Sequence, residues 1–375
     1  MLFVETCDRT DPAPLAQLPW ELLQTIAVIQ LYREERWIEP FKSKPKPYSL
    51  LVQQTLSTLI QKGEMRPSAL GREVLTLPPF KNTISTQEYL TLLRFMIECG
   101  YLQKMDDGTV IVGLKAEDIC NHYSFSAIFP DALEFSVLSK KGEIGKIGKL
   151  PEVGDIIPLA GKAWRVTELE PRKMRVYVEP TDQVGEALWS GKGGEVHDRV
   201  IFRMKKVLEE DLVYPYLTEE SKKVLEEARA LARSLDLLTA GVHSFSDYFY
   251  ICPWVGTRKL KTVKKMLEVG LEKKIHPTEV DLEKFYIKMR SEIDKDTFIN
   301  ICQSVDWNLE NPSIVLKGSE IGVEKYYAVP RDTVKIDKFD YMVPSELLCM
   351  SYMQNELDME GGLEVLRSLC YHSIK

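Results

Sequence analysis

The residues of this chain whose types and spacing could do chemistry are mostly cationic and aromatic, and they suit the binding of phosphate and of flat bases. In Thr257 to Lys274, Leu260, Val263, Leu267 and Leu271 share one face of a helical period. Arg258, Lys261 and Lys265 lie opposite, with Lys259 and Lys264 on the flanks. Gly256-Thr257 opens this segment, where free N–H groups attract anions. Trp254 just before it offers a ring on which a base could stack. An ordinary amphipathic helix with Trp254 in the core reads from the same residues. A second group, Arg165, Arg172, Lys173 and Arg175, falls on an expected hairpin turning near Pro171. A basic hairpin can straddle a groove, although hairpin tips are also charged simply because they are exposed. A third, Trp189 to Arg199, places Lys192 in a glycine turn ahead of a helix carrying Arg199, Arg203, Lys205 and Lys206. Glycines there let backbone approach a phosphate closely; a tight loop needing positive φ explains them too.

Other chemistries lack their residues. There is no G-x-x-x-x-G-K-[ST] cradle for a triphosphate and no D-E-x-[DH] box for its magnesium, so no cofactor is expected and no ATP hydrolysis by the chain itself. His122, His197, His243, His276 and His372 are far apart, with no H-E-x-x-H, and no metal site is expected. Glu272 and Lys274 form a nuclease-like E-x-K, but on a helical period, which reads as a solvated face. His197-Asp198 beside Glu195 is an acid–base pair in principle and a polar helix start otherwise. Cys7, Cys99, Cys120, Cys252, Cys302, Cys349 and Cys370 are scattered, odd in number and without C-x-x-C. Neither a disulfide framework nor a zinc site is suggested, and a reducing cytoplasm is the expected location. No apolar run approaches the roughly 20 residues of a membrane span, and the first residues turn acidic too early for a secretory leader.

The elements that must position these residues follow from composition and period. With 375 residues, 44% hydrophobic and 28% charged, the chain is a multidomain globular protein. A net charge of −7 excludes a wholly basic nucleic-acid coat, leaving local basic faces open. Leu2-Phe3-Val4 is an isolated strand-like run, and Leu18 to Tyr32 has helical spacing. Lys42 to Pro47 has the composition of an exposed linker. From Tyr48 to Leu114 the order is helix, helix, helix, hairpin, the order of a winged helix, with Ser85 and Glu88 forming a cap of the third helix. That third helix exposes a nearly neutral face, a poor major-groove reader but a suitable rigid spacer. Short alternating runs between Phe125 and Val178 suggest a small β-barrel or sandwich. Helices at Val196 to Leu208 and Glu219 to Ser234 follow. Strands at Tyr248 to Cys252, Lys284 to Lys288, Ile314 to Leu316 and Tyr326 to Val329 then alternate with helices at Thr257 to Lys274, Thr297 to Ser304, Pro344 to Asn355 and Gly361 to Leu369. The expected class is α+β: residues 1–46 a residual strand, connecting helix and linker; 47–123 a winged helix; 124–206 a β-barrel-like domain with a trailing helix; 207–375 a mixed α/β domain.

Several long words in this order look like one source: LPWELLQTIAVIQLYREERWIEP from Leu18, KPYSLLVQQTLSTL from Lys46, WSGKGGEVHDR from Trp189, PWVGTR from Pro253 and KFDYMVPSELLCMSYMQNELDMEGGLEVL from Lys338. Together they resemble the region behind the motor of Lhr-type (large helicase-related) superfamily-2 DEAD/DEAH-box DNA helicases. In that family two RecA-like domains bind ATP, and a winged helix and further domain complete the channel for the translocated strand. The resemblance implies that this chain is a motorless accessory region in which Leu2 to Glu5 is the motor's last strand. It implies partners: single-stranded or forked DNA, or RNA, and RecA-like motor domains in cis or trans, in a pathway of DNA repair. Trp254, Arg258, Lys261, Lys265, Lys192, Arg199, Arg172, Lys173 and Arg175 are the expected strand contacts. Two other readings stay open. One is an interaction module docking on a separate motor through Phe3, Val4, Trp20 and the Leu22/Ile26/Ile29 face; the other is a metal-dependent nuclease or DNA glycosylase.

Overall fold

The helical periods become α1 (Trp20–Glu35), α2 (Tyr48–Lys62), α3 (Pro67–Val74), α4 (Thr86–Glu98) and α5 (Leu114–Asn121), with the antiparallel pair β1 (Leu102–Lys104) and β2 (Val110–Val112). Further along come β3 (Phe135–Ser139), β4 (Gly142–Ile147), β5 (Ile156–Leu159), β6 (Lys162–Glu170) and β7 (Arg175–Thr181). The remainder is α6 (Asp198–Glu209), α7 (Glu219–Ser234), β8 (Val242–Phe245), β9 (Tyr248–Ile251), α8 (Thr257–Leu271), β10 (Glu279–Leu282), β11 (Ile287–Arg290), α9 (Lys295–Gln303), α10 (Ser345–Asn355) and α11 (Met359–Tyr371). The computed structural model describes residues 15–128, 135–140, 142–147, 151, 153–170, 175–181, 194–271, 279–290, 293–305, 307 and 337–371. The expected strands at 2–4, 314–316 and 326–329, with Glu272, Lys274, His276 and His372, lie outside the described residues. The chain is α+β and divides into two compact units, Met1–Ser126 with Glu195–Lys375, and Ala127–Gly194.

The larger unit has three apolar cores. In the first, Val52, Leu56 and Leu59 of α2, Leu70 and Val74 of α3, and Tyr89, Leu92 and Met96 of α4 come together, each large side chain contributing about 1.5–3 kcal/mol by leaving water. The expected cap of α4 is present: Ser85 Oγ accepts from the Glu88 N–H at 3.2 Å, and the Ser85 N–H donates to Glu88 at 2.7 Å. Glu88 also receives Lys46 Nζ at 2.6 Å and the Tyr48 hydroxyl. Burial works against its charge, but these donors prevail and hold its carboxyl down at about 2.

Three expectations change here. Lys42 to Pro45 are exposed, but the linker is clamped at its end, where Lys46 exchanges backbone hydrogen bonds of 3.0 Å with the Asn355 amide. A 3-10 turn at Tyr123–Ser126 replaces the strand expected from Phe125, because that ring turns into the core against Phe339. Phe339, Met342, Leu347 and Leu348 join this first core, so residues 339–348 pack with α2 to α4 rather than only with the last domain.

The other two cores flank the antiparallel sheet β10-β11-β9-β8. Val242, Phe249, Ile251, Ile287 and Met289 meet α8, α9 and α11 on one face. Tyr250, Cys252, Phe285 and Tyr286 meet α1, α6 and α7 on the other. Helix α6, expected to trail the β-rich segment, packs here instead, through Val200, Ile201, Met204 and Val207.

In the smaller unit the sheet order is β4-β3-β7-β6-β5, with β3 and β7 parallel and the other neighbours antiparallel. The expected β-barrel is not closed. Among the described residues, β4 and β5 are edges that share no ladder, although Leu159 of β5 reaches Gly145 of β4, where an added Cβ would lie 3.4 Å from its side chain. Val137, Ile157, Val166 and Val176 fill the core of this sheet.

Candidate nucleic-acid interface

Helix α8 has the expected two faces. Leu260, Val263, Leu267 and Leu271 are buried against the sheet. The cationic face, however, is also an internal contact, because the α10–α11 connection lies over it. Arg258 Nη2 donates to the Gln354 carbonyl, left open in the last turn of α10, at 2.9 Å and to that of Leu357 just beyond the helix. Lys261 Nζ meets Glu356 at 2.9 Å and Glu195 at 3.4 Å. Burial opposes its charge, but the two carboxylates outweigh that and hold the ammonium above the ordinary lysine value. Lys259 pairs with Asp198 at 3.1 Å, and Lys264 and Lys265 both reach Glu268. Thr262 Oγ1 accepts from the Asp358 N–H at 2.9 Å.

Glycine makes this covering possible. A Cβ on Gly362, in the first turn of α11, would lie 2.4 Å from Thr262 Cγ2, far inside contact distance.

The anion expected at the start of α8 is supplied by the chain. Asp198 Oδ1 accepts from the Gly256 N–H at 2.6 Å, and Thr257 Oγ1 accepts from the Val196 N–H at 2.9 Å. An added Cβ on Gly256 would meet the Val196 carbonyl at 2.7 Å, so the glycine serves a close backbone crossing. Trp254 takes its core reading. It is 8% exposed, its Nε1 donates to the Leu237 carbonyl at 2.9 Å, and its ring lies 5.6 Å from that of Trp20. That ring is not a free stacking surface. Trp20 stacks on Phe285 at 4.8 Å and Ile26 is fully buried, so the docking face read on α1 is an inward one.

Arg199 is different. Helix α1 ends with Arg36 in the left-handed region at φ 52, and the Trp37 N–H turns back to the Leu31 carbonyl at 3.2 Å. That turn brings the Trp37 ring to 5.3 Å from His197, the cap of α6, and to 5.6 Å from the Arg199 guanidinium. Arg199 pairs with Glu35 across the two helices and keeps 47% of its side chain exposed. Val28 and Tyr32 lie seven and three residues before Glu35, and Phe202 and Lys206 three and seven after Arg199. Helical spacing therefore sets all four on the outward surface where the helices meet. Tyr32 is 49% and Phe202 54% exposed, with Arg36 and Lys206 over their respective rings at 5.4 and 4.9 Å. Sequence reading missed Tyr32, Trp37 and Phe202 as members of one surface; the i, i+3, i+7 exposure of Arg199, Phe202 and Lys206 was the available signal.

Arg203, one residue on, is buried between Glu34 at 3.2 Å and Glu210 at 3.1 Å and serves the fold. In the smaller unit, Arg175 is exposed and stands opposite Glu170 in the ladder, as Arg165 stands opposite Glu179. Lys192, Arg172 and Lys173 lie outside the described residues. Among the described residues no group of His, Cys, Asp and Glu could hold a metal ion, and no helix is long and apolar enough to cross a membrane.

No family model matches the chain, and no curated protein matches it. Among solved structures, it is similar to the Mycobacterium smegmatis helicase Lhr bound to ssDNA and AMP-PNP, with a TM-score of 0.48 and 12% identity over 94% of this chain. The chain spans 49% of the length of that protein.

Proposed function

We propose that this chain is a nucleic-acid-binding accessory region of an ATP-driven DNA helicase. It guides single-stranded or forked DNA for RecA-like motor domains acting in cis or in trans, and does not itself hydrolyse ATP. The observation that carries this reading is the outward surface of the α1–α6 pair, where the exposed rings of Tyr32 and Phe202, with half-buried Trp37 at its end, lie beside Arg36, Lys206 and Arg199. Rings stack on bases without regard to sequence, and interleaved cations follow the phosphates. The sequence resemblance and the missing triphosphate cradle support the same reading. In it, α2 to α4 with the β1–β2 pair form a winged helix used as a spacer, since α4 spends Glu88 on its own cap and on Lys46.

The test is a titration of a fluorescent single strand at several salt concentrations. Three cations facing phosphates give a slope of log K against log salt of about −2, at roughly 0.7 per contact on single strands. An affinity that stays flat with salt removes the reading. A second reading has its own support: Ile38 is 74% and Phe41 94% exposed just beyond α1, as an apolar docking segment for a motor domain would be. Capture of purified motor domains by a chain that ignores oligonucleotides would favour it.

A further inference from the structure

On the other flank of α1 lies an open pocket of about 300 Å³ that none of the strand contacts above uses. Its walls are Gln30, Arg33 and Glu34 of α1 and the segment Leu212 to Tyr216 between α6 and α7. Leu212 and Val213 present aliphatic side chains to the pocket and are 51% and 70% exposed. The polar wall is already ordered. Gln30 Nε2 donates to Glu34 Oε1 at 3.0 Å, and buried Arg203 donates to the same oxygen at 3.2 Å. This leaves Gln30 Oε1 and Glu34 Oε2 as acceptors. The Tyr216 ring forms the aromatic wall, 5.8 Å from Tyr214, with the Arg33 guanidinium 5.7 Å from its centre.

We propose that this pocket takes one unstacked nucleobase of the bound single strand, and prefers a base with an exocyclic amino group. The pocket supplies what such a base needs: an aromatic face and aliphatic edge for its plane, acceptors for its amino hydrogens, and a guanidinium for the neighbouring phosphate. Thymine presents a carbonyl where cytosine and adenine present an amino group, and a carbonyl facing Glu34 leaves both acceptors without a donor. A volume of about 300 Å³ is ample for one base. This inference rests on the accessory-region reading, and its test separates the two.

Affinities of the whole chain for oligo(dC), oligo(dA) and oligo(dT) of equal length are compared with those of Tyr216→Ala and Val213→Asp. Val213 is exposed enough that the second variant folds even if the first does not. The wild-type chain should bind oligo(dC) and oligo(dA) about tenfold more tightly than oligo(dT), and either variant should remove most of that difference by costing oligo(dC) and oligo(dA) more than oligo(dT). Equal wild-type affinities, or a preference that survives both substitutions, would overturn the base pocket and leave the accessory reading standing. A chain that binds none of the three at low salt overturns both.

Discussion

Helices α6 and α8 both carry runs of cations on faces opposite their apolar stripes, yet the two runs meet different surroundings. On α8, Arg258 holds carbonyls in and just beyond the last turn of α10, Lys261 sits between Glu356 and Glu195, and Lys259 holds Asp198. On α6, the residues that face outward are Arg199, Phe202 and Lys206, and the cations there lie over aromatic rings. Among the described residues, Glu35 takes part of that charge, from Arg199. A cation whose counter-charge is built into the fold has little left to offer a phosphate, whatever its place in the sequence. In the proposed reading, a ring rather than a carboxylate beside a lysine is what separates a binding surface from an internal seam.

Lifting the cover from α8 is the most forceful way to break this comparison. Gly362→Val places a branched side chain where even a Cβ lies 2.4 Å from Thr262. The two helices must separate, at a cost of about 3 kcal/mol, read as a lower urea midpoint. Strand affinity should not rise. If it rose severalfold in the folded variant, α8 would be a hidden strand surface and the distinction drawn here would fall.

A smaller effect sharpens the same point. Arg258→Met keeps the stem of the side chain and removes the guanidinium from the carbonyls of Gln354 and Leu357. Stability should drop by about 1 kcal/mol, because the Gln354 carbonyl is exposed and can turn to water while the partly buried Leu357 carbonyl loses its charged donor. The affinity for single strands should stay within about twofold, a difference of roughly 0.4 kcal/mol. A tenfold loss of affinity at unchanged stability would return Arg258 to the list of strand contacts.

How much of this could be read from the sequence depended on the range of each contact. The α8 apolar stripe and the Ser85–Glu88 cap were legible because each lies within a single helix or its cap, over at most about three turns. The cover over α8 was not, because Lys261 meets Glu356, and Thr262 meets Asp358, across most of a domain's worth of chain and nothing local marks them as neighbours. Trp254 and Trp37 look alike in sequence, each at the edge of a helix. Whether each faces core or surface is settled by Leu237 and Trp20 for one and by the left-handed Arg36 for the other. Arg36 carries no glycine to announce that turn, so even the local signal was missing. The β-rich segment showed its strands but not its closure, since alternation specifies faces and says nothing of whether the last strand finds the first.

The smallest effect on stability is the one that bears most directly on function. Arg199→Ala removes a half-exposed ion pair with Glu35, a contact that contributes at most about 0.5 kcal/mol. The urea midpoint should hardly move. If Arg199 faces a phosphate, the same substitution lowers single-strand affinity about threefold to tenfold and makes the salt slope shallower by about 0.7. Lys265→Ala is the matched control on α8, because it too removes one partly exposed cation, here paired with Glu268 at 2.8 Å. It should change neither the midpoint nor the slope. Equal losses of affinity from the two substitutions would mean that the strand feels only the total charge of the chain, and that aromatic rings beside α6 do not select it.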